Sequence, residues 1–308
     1  MINILKPHAN IMPVPVTRLC SICFTPVGPR RFLCPRCKLA LGNRFHHKLL
    51  VPALRDALDR SINRFRCRYS GAILEQTGDP YNPWYLTADH VVPGEEAIVI
   101  SSFLINDMKS DLTGDEFITI VPALDDTLLG IAPFNRNIIA FRTWNRVAPT
   151  IGAPRRLAPW EMARAPAIAC VICGRPPFPR SIYCQTCRGI IYQRWEIAAR
   201  AAALKKSWNQ QLQAYTCYYT GAILDVLDPK SPWFIVFDHL IPGQKGNVVA
   251  CAAWVNAAKT YLTETEFRAV IRSLSEHIRH GTPFDKTLVE ERRFGLSARK
   301  LCGARSAL

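Results

Sequence analysis

The stretch DHLIPGQKGNVVACAAWVNAAK, from Asp238 to Lys259, decides the fold predicted for this chain. It sets an Asp-His pair before a Pro-Gly turn, followed by an apolar run typical of a strand and a helical pattern that carries Asn256. A similar stretch, DHVVPGEEAIVISSFLINDMK, runs from Asp89 to Lys109. The pattern predicts two strands and a helix in each stretch.

The polar residues of the later stretch are those needed to hydrolyse a phosphodiester with one metal ion. The Asp238 carboxylate can hold a hard divalent cation, and Asn256 on the following helix can add a second oxygen ligand. His239 can take a proton from water near neutral pH. Lys259, one helical turn beyond Asn256, faces the same way and could meet a phosphate. The sequence therefore predicts a catalytic metal site.

Both stretches resemble the HNH family of nucleases, in its variants with Asp-His and a final Asn. The resemblance covers about twenty residues in each copy. For the second copy it implies that His239 is the general base and that Asn247 supports the site. It also implies that Asp238 and Asn256 bind Mg²⁺ or another divalent cation, with Lys259 helping to neutralise charge.

The first copy matches the same pattern with one departure. His90 would be its base, Asp89 and Asn106 its metal ligands, and Lys109 the counterpart of the helical lysine. Ala97 stands where the middle Asn is expected. The second copy is therefore the better candidate for activity.

Each of these residues also has a purely structural interpretation. An Asp-His hydrogen bond can simply fix a turn. Asn106 and Asn256 can cap or bond the backbone. Lys109 and Lys259 can be plain surface lysines.

A tandem duplication organises the chain. Identical residues recur 150 positions apart, at Cys20 and Cys170, Cys34 and Cys184, Cys67 and Cys217, Asn106 and Asn256, Lys109 and Lys259, and Phe117 and Phe267. RCRYSGAILE (66–75) matches TCYYTGAILD (216–225), and Pro133-Phe134 matches Pro283-Phe284. We predict a first repeat at 18–145, a linker rich in Pro, Ala and Arg at 146–168, and a second repeat at 169–308.

Each repeat opens with two CxxC pairs separated by ten residues. The eight cysteines are Cys20, Cys23, Cys34, Cys37, Cys170, Cys173, Cys184 and Cys187. This spacing predicts two structural Zn²⁺ sites, because two CxxC turns can close a tetrahedral sulfur site. The alternative is a set of redox-active or merely buried thiols. Cys67 and Cys217 stand alone and are predicted to be buried.

The predicted fold class is α+β, a tandem repeat of a four-cysteine zinc-knuckle module joined to an HNH-like ββα-metal unit. A long helix is predicted over 189–215 from its Ala, Leu, Gln, Lys and Arg content. In the first repeat, Pro52 is expected to break or restart the corresponding helix. Thr113 and Thr263 are predicted helix caps, with Glu116 and Glu266 completing capping boxes.

The chain of 308 residues has a formal net charge of +15, which favours a polyanionic partner. The region after the first cysteine box is especially basic, through Arg44, Lys48, Arg55, Arg60, Arg64, Arg66 and Arg68. These residues could lie on a phosphate backbone, or form only a solvated face.

The leading interpretation is a metal-dependent endonuclease of HNH-like type, with DNA favoured over RNA as its partner. The alternative is a non-catalytic, zinc-stabilised DNA- or RNA-binding protein that retains the HNH-like scaffold. A third interpretation is a component of a larger assembly that uses zinc only for folding. The sequence leaves the oligomeric state open.

The cysteines and the absence of targeting patterns indicate the cellular compartment. No stretch has the apolar length of a membrane helix, and the N-terminus lacks a compact apolar signal core. The twelve cysteines are therefore expected to be reduced, in the cytoplasm, nucleoid or nucleus. An organelle presequence stays open, because the first acidic residue is Asp56.

Overall fold

The computed structural model describes residues 18–28, 31–41, 47–76, 82–139, 168–179, 181–192 and 196–289, with the backbone alone at 41, 47 and 48. Apart from Ile168, the predicted linker lies outside these residues. The described chain combines helices with small antiparallel sheets, which confirms the α+β class. Across these ranges, no helix has both the length and the apolar character needed to cross a membrane.

The described residues of the first repeat form six short strands and four helices. In chain order they are β1 Arg18–Leu19, β2 Pro26–Val27, α1 Pro35–Leu41, α2 His47–Ala57, β3 Leu58–Asp59, β4 Arg64–Phe65, β5 Leu86–His90, β6 Ile98–Ser102, α3 Phe103–Lys109 and α4 Gly114–Leu128. A 3-10 turn, Arg136–Ile138, follows.

The second repeat has the same order of elements from its first helix onward. They are α5 Gln185–Ile191, α6 Ile197–Ser207, β7 Trp208–Asn209, β8 Ala214–Tyr215, β9 Ile235–His239, β10 Val248–Ala252, α7 Ala253–Lys259 and α8 Glu264–His280. A 3-10 turn, Lys286–Leu288, closes the described chain.

Each Asp-His stretch forms two paired strands followed directly by a helix. In the second repeat β9 and β10 are antiparallel, with Asp238 opposite Val249, and α7 begins where β10 ends. In the first repeat β5 pairs with β6 in the same register, with Asp89 opposite Val99. The apolar runs and the helical pattern thus formed the ββα order that the sequence predicts.

Two capping boxes were predicted correctly. The Thr113 side chain accepts from the backbone N–H of Glu116, and the Glu116 carboxylate accepts from the backbone N–H of Thr113. Thr263 and Glu266 repeat both bonds at the start of α8. These bonds satisfy N–H groups that have no partner within the helix.

The long helix predicted over 189–215 is wrong. The chain divides into α5 and α6, and then turns into the hairpin of β7 and β8. The Asn209 side chain accepts from the backbone N–H groups of Gln211 and Leu212, and Gln213 takes a left-handed backbone with φ of 49°. Side-chain bonding to the backbone has overridden helix propensity here.

The expected break at Pro52 is also wrong, because α2 continues through it. Pro52 lies on the exposed face of the helix. The carbonyl that loses its helical partner there can be hydrated, which lowers the penalty of an internal proline.

The two repeats pack against each other about an approximate two-fold axis. The Phe134 ring of the first repeat lies 5.8 Å from the Trp233 ring of the second. In the opposite direction, Phe284 lies 5.3 Å from Trp84. Each repeat thus contributes the same phenylalanine to the same tryptophan of the other repeat. This reciprocity is typical of an isologous dimer, here formed within one chain.

Ion pairs between the repeats are related by the same approximate two-fold axis. Arg136 Nη2 lies 2.6 Å from Asp225 Oδ1, and Lys286 Nζ lies 3.1 Å from Glu75 Oε1. Both cations also sit over a tryptophan ring of the opposite repeat. Helices α4 and α8 pack together across the same interface.

The packing around Gly71 and Gly221 departs from this symmetry. His277 of α8 lies against Gly71 of the first repeat, whereas its counterpart Thr127 is too short to fill the matching space. A cavity of about 490 Å³ remains there, lined in part by Thr127, Phe134 and Gly221.

Gly71→Ala is expected to destabilise the protein more than Gly221→Ala, by about 1–3 kcal/mol. Both glycines have a left-handed backbone, with φ of 65° and 66°. An alanine Cβ at Gly71 would lie 2.6 Å from His277 Cε1, but at Gly221 it would meet nothing within 4 Å. Urea unfolding of both variants measures the difference. Equal midpoints would contradict the expectation, and His277→Ala should remove the difference.

Candidate functional site

The eight predicted cysteines form two clusters, one at the start of each repeat. Within each cluster the four Sγ atoms all lie within 4.8 Å of one another. The Sγ atoms of Cys23 and Cys34 are 3.6 Å apart, as are those of Cys173 and Cys184. A tetrahedral Zn–S₄ site with bonds of about 2.3 Å has edges of about 3.8 Å. The clusters therefore have the ligand type and spacing for one metal ion each.

Each cluster contains one thiol that ionises readily. Burial works to raise the pKa of Cys20, but hydrogen bonds from neighbouring backbone N–H groups lower it to about 6. The same balance lowers the pKa of Cys170 to about 7. Burial instead raises the pKa of Cys37 and of Cys187. The first thiolate for a metal is thus available near neutral pH.

The Asp238 carboxylate lies inside the protein and already has partners. Lys259 Nζ is 3.2 Å from Asp238 Oδ2, and the Tyr219 hydroxyl donates to the same oxygen at 2.6 Å. Lys259 also donates to the backbone carbonyl of His239 at 2.8 Å. The residues Asp238 and Lys259 are 6% and 0% exposed. Burial raises the pKa of Asp238, although Lys259 and Tyr219 oppose that shift.

The first repeat has the same pair. Lys109 Nζ lies 3.3 Å from Asp89 Oδ1, and both residues are buried. The alternative that Lys109 and Lys259 are surface lysines is wrong, because the ammonium groups are needed inside to balance the carboxylates. Burial raises the pKa of Asp89, with Lys109 opposing it.

The predicted bases lie nearer the surface than the aspartates. His239 ends β9, and its side chain is 39% exposed, with Nε2 3.6 Å from Glu196 Oε2. Glu196 also accepts from the backbone N–H of Gly246 at 3.1 Å, and that bond, with the neighbouring His239, lowers its pKa. His90 Nδ1 lies within hydrogen-bond distance of the Glu95 carbonyl oxygen.

The predicted asparagines are not joined to the aspartates. Asn256 is half-buried on α7, and Asn247 is exposed just before β10. Neither is a hydrogen-bond partner of Asp238, whose side-chain partners in the described chain are Lys259 and Tyr219. In the first repeat Asn106 is half-buried on α3, and Ala97 is exposed. The structure thus pairs each aspartate with the lysine of the following helix, Asp238 with Lys259 and Asp89 with Lys109.

Sequence reasoning missed three polar neighbours of these sites. Tyr219 binds Asp238, and its position within the repeated phrase around Cys217 was the available signal. Tyr215 lies with its hydroxyl 2.7 Å from the Cys187 sulfur. Glu196 approaches His239 from another element, and no local pattern indicated it.

The prediction that Cys67 and Cys217 are buried is confirmed. The Trp84 and Trp233 rings are also buried and belong to the core.

Comparison of the chain with protein-family models, with curated proteins and with solved structures found no match. Function must therefore be argued from the clusters and from the ββα units themselves.

Proposed function

We propose that this chain is a non-catalytic, zinc-stabilised nucleic-acid-binding protein in which the ββα units serve as scaffold. Each four-cysteine cluster would hold one structural Zn²⁺, because four sulfurs leave no open coordination position. The observation that carries the proposal is the buried pair of Asp238 and Lys259, repeated as Asp89 and Lys109.

Charge balance is the physical reason. The single negative charge of Asp238 is matched by the single positive charge of Lys259, and both lie out of water. A divalent cation on that carboxylate would place two further positive charges beside a buried ammonium, with no second carboxylate among the predicted ligands. The buried ammonium would therefore compete with a divalent cation for this carboxylate.

The net charge of +15 supports a nucleic-acid partner. Several of the predicted basic residues are exposed, namely Arg55, Arg60, Arg64, Arg66 and Arg68. Arg66 is partly neutralised by Asp59, 2.7 Å away. Arg44 and the Lys48 side chain lie outside the described residues.

Metal-dependent endonuclease activity is the second candidate. It is favoured by the exposure of His239 at the strand end beside Asp238, and by the nearby Glu196 carboxylate, which could orient the imidazole. Lys259 would then have to leave Asp238 when Mg²⁺ binds. Activity in the second repeat alone would produce nicks, and activity in both could cut two strands.

The experiment that separates the two candidates uses supercoiled plasmid, single-stranded DNA and structured RNA. Each is incubated with the zinc-loaded protein, with and without added Mg²⁺ or Mn²⁺, so that structural zinc need not be stripped by a chelator. The matched variant is His90→Ala/His239→Ala. Binding is measured in parallel over a series of salt concentrations.

We expect salt-sensitive binding without cleavage, equal in parent and variant. Metal-dependent cutting that the double variant loses would overturn the proposal and establish the nuclease. Absence of binding to all three substrates would overturn both and favour a component of a larger assembly.

A further inference from the structure

The metal-binding loop of the first repeat carries two exposed phenylalanines. Phe24 is 45% exposed and Phe32 is 69% exposed, although aromatic side chains of this size are usually buried. The Arg60 guanidinium lies 5.2 Å from the centre of the Phe24 ring, and Arg18 lies 5.1 Å from that of Phe32. Each ring is thus covered in part by a cation and open elsewhere.

Backbone contacts hold both phenylalanine positions on the same cysteine loop. The backbone N–H of Ser21 donates to the Phe32 carbonyl at 2.9 Å, and the Phe24 N–H donates to the Cys20 carbonyl at 2.9 Å. Arg55 Nε donates to the Ser21 carbonyl at 2.7 Å. Both phenylalanines therefore lie on a short loop held by the cysteine cluster. Arg55 of α2 and Arg60 of the β3–β4 turn lie beside this loop.

Phe24 occupies a backbone position that disfavours any side chain. Its φ is 60°, in the left-handed region, where glycine is preferred. The second repeat does have glycine there, since Gly174 is the counterpart and its φ is 73°. A phenylalanine kept in a strained conformation and exposed to solvent points to a role outside folding.

The second repeat keeps none of these five residues. Its residues at the five matching positions are Ile168 for Arg18, Gly174 for Phe24, Ile182 for Phe32, Lys205 for Arg55 and Gln210 for Arg60. Its four cysteines cluster in the same way, so the grouping of the sulfur atoms does not require the aromatic and arginine residues.

We infer that this face of the first repeat, which comprises Arg18, Phe24, Phe32, Arg55 and Arg60, binds single-stranded nucleic acid by stacking unpaired bases on the two rings. Aromatic rings give sequence-tolerant stacking, and the arginines attract the phosphates that run between the bases. Base pairs in a duplex do not expose their faces, so unpaired bases are the preferred partner. The inference deepens the proposed function and rests on it.

The test uses fluorescent oligothymidylate and oligouridylate strands of about 15 nucleotides, together with a duplex of similar length. Anisotropy gives the Kd for the parent protein, for Phe24→Gly, for Phe32→Ala and for the double variant. Phe24→Gly removes the ring and relieves the backbone strain, so it should fold at least as well as the parent. Ile182→Ala, at the position matching Phe32, is the control.

The parent should bind both single strands more tightly than the duplex. The double variant should bind them at least about tenfold more weakly, with an unchanged salt dependence, because no charge has been removed. Arg60→Gln should instead reduce the salt dependence. The two oligonucleotides report whether DNA or RNA is preferred.

Three results would overturn the inference. Unchanged single-strand binding by the double variant, or binding of the duplex as tight as that of the single strands, would remove this face as the site and leave the proposed function standing. A parent protein that binds none of the three probes would remove the proposed function as well.

Discussion

Lys259→Met is expected to lower the free energy of unfolding by about 3–5 kcal/mol. The substitution keeps most of the side-chain volume but leaves the Asp238 carboxylate buried with only the Tyr219 hydroxyl as a side-chain partner. A buried charge without a counter-charge is among the costlier defects that a single substitution can create. Urea unfolding of the zinc-loaded protein, followed by tryptophan fluorescence, measures the loss.

The control is the double variant Asp238→Asn/Lys259→Met, which removes both charges and keeps a hydrogen-bond acceptor for Tyr219. It should recover most of the lost stability, because the defect is the unpaired charge rather than the missing ammonium. Lys109→Met should behave like Lys259→Met, since its ammonium is equally buried beside Asp89. A loss below about 1 kcal/mol for Lys259→Met would show that the pair is open to water in solution.

Cys187→Ser is expected to lower the zinc content from two ions per chain to one and to unfold the second cysteine module. Structural zinc in small sites contributes on the order of 10 kcal/mol of apparent binding free energy, and a site with three sulfurs loses much of it. The loop before α5 is held by the cysteines, although Ile190 and Ile191 of the short helix are also buried. Elemental analysis gives the stoichiometry, and far-UV circular dichroism gives the lost helix.

Cys217→Ser is the matched control for this experiment. Cys217 is buried in the same repeat but lies outside the cluster, so the variant should retain both ions. A parent chain purified without zinc, or Cys187→Ser with two ions, would contradict the assignment of the clusters as structural metal sites.

Features set by local spacing could be predicted from the sequence. The CxxC pairs bring sulfurs together within a turn, the capping boxes join residues three apart, and the strand and helix periods define the ββα order. The hairpin of β7 and β8 escaped prediction because its left-handed turn residue is Gln213 rather than glycine. Asn63 does the same in the first repeat.

The sequence predicted Asp238 and Lys259 as residues of the candidate site, but it did not predict that they are buried. The spacing of Asn256 and Lys259 indicated a shared helix face, but it could not show which of the two would reach Asp238. The residue that reaches Asp238 depends on the distance between α7 and β9. That distance is set by packing against residues that are distant in sequence. The contacts of Phe134 with Trp233, and of Phe284 with Trp84, are likewise long-range, so the packing of the repeats was left open.

The two-fold packing has a consequence for how this chain came to be. A one-repeat ancestor with these contacts would have been an obligate pair of chains, because each tryptophan pocket is closed by a phenylalanine from the opposite copy. Tandem duplication within one chain makes that association independent of concentration. In a symmetric pair of identical chains, one sequence must fit both positions. In the duplicated chain, each repeat can carry a different residue at matching positions. Phe24 could then persist on one side while Gly174 stood on the other, and His277 could fill a space that Thr127 leaves open.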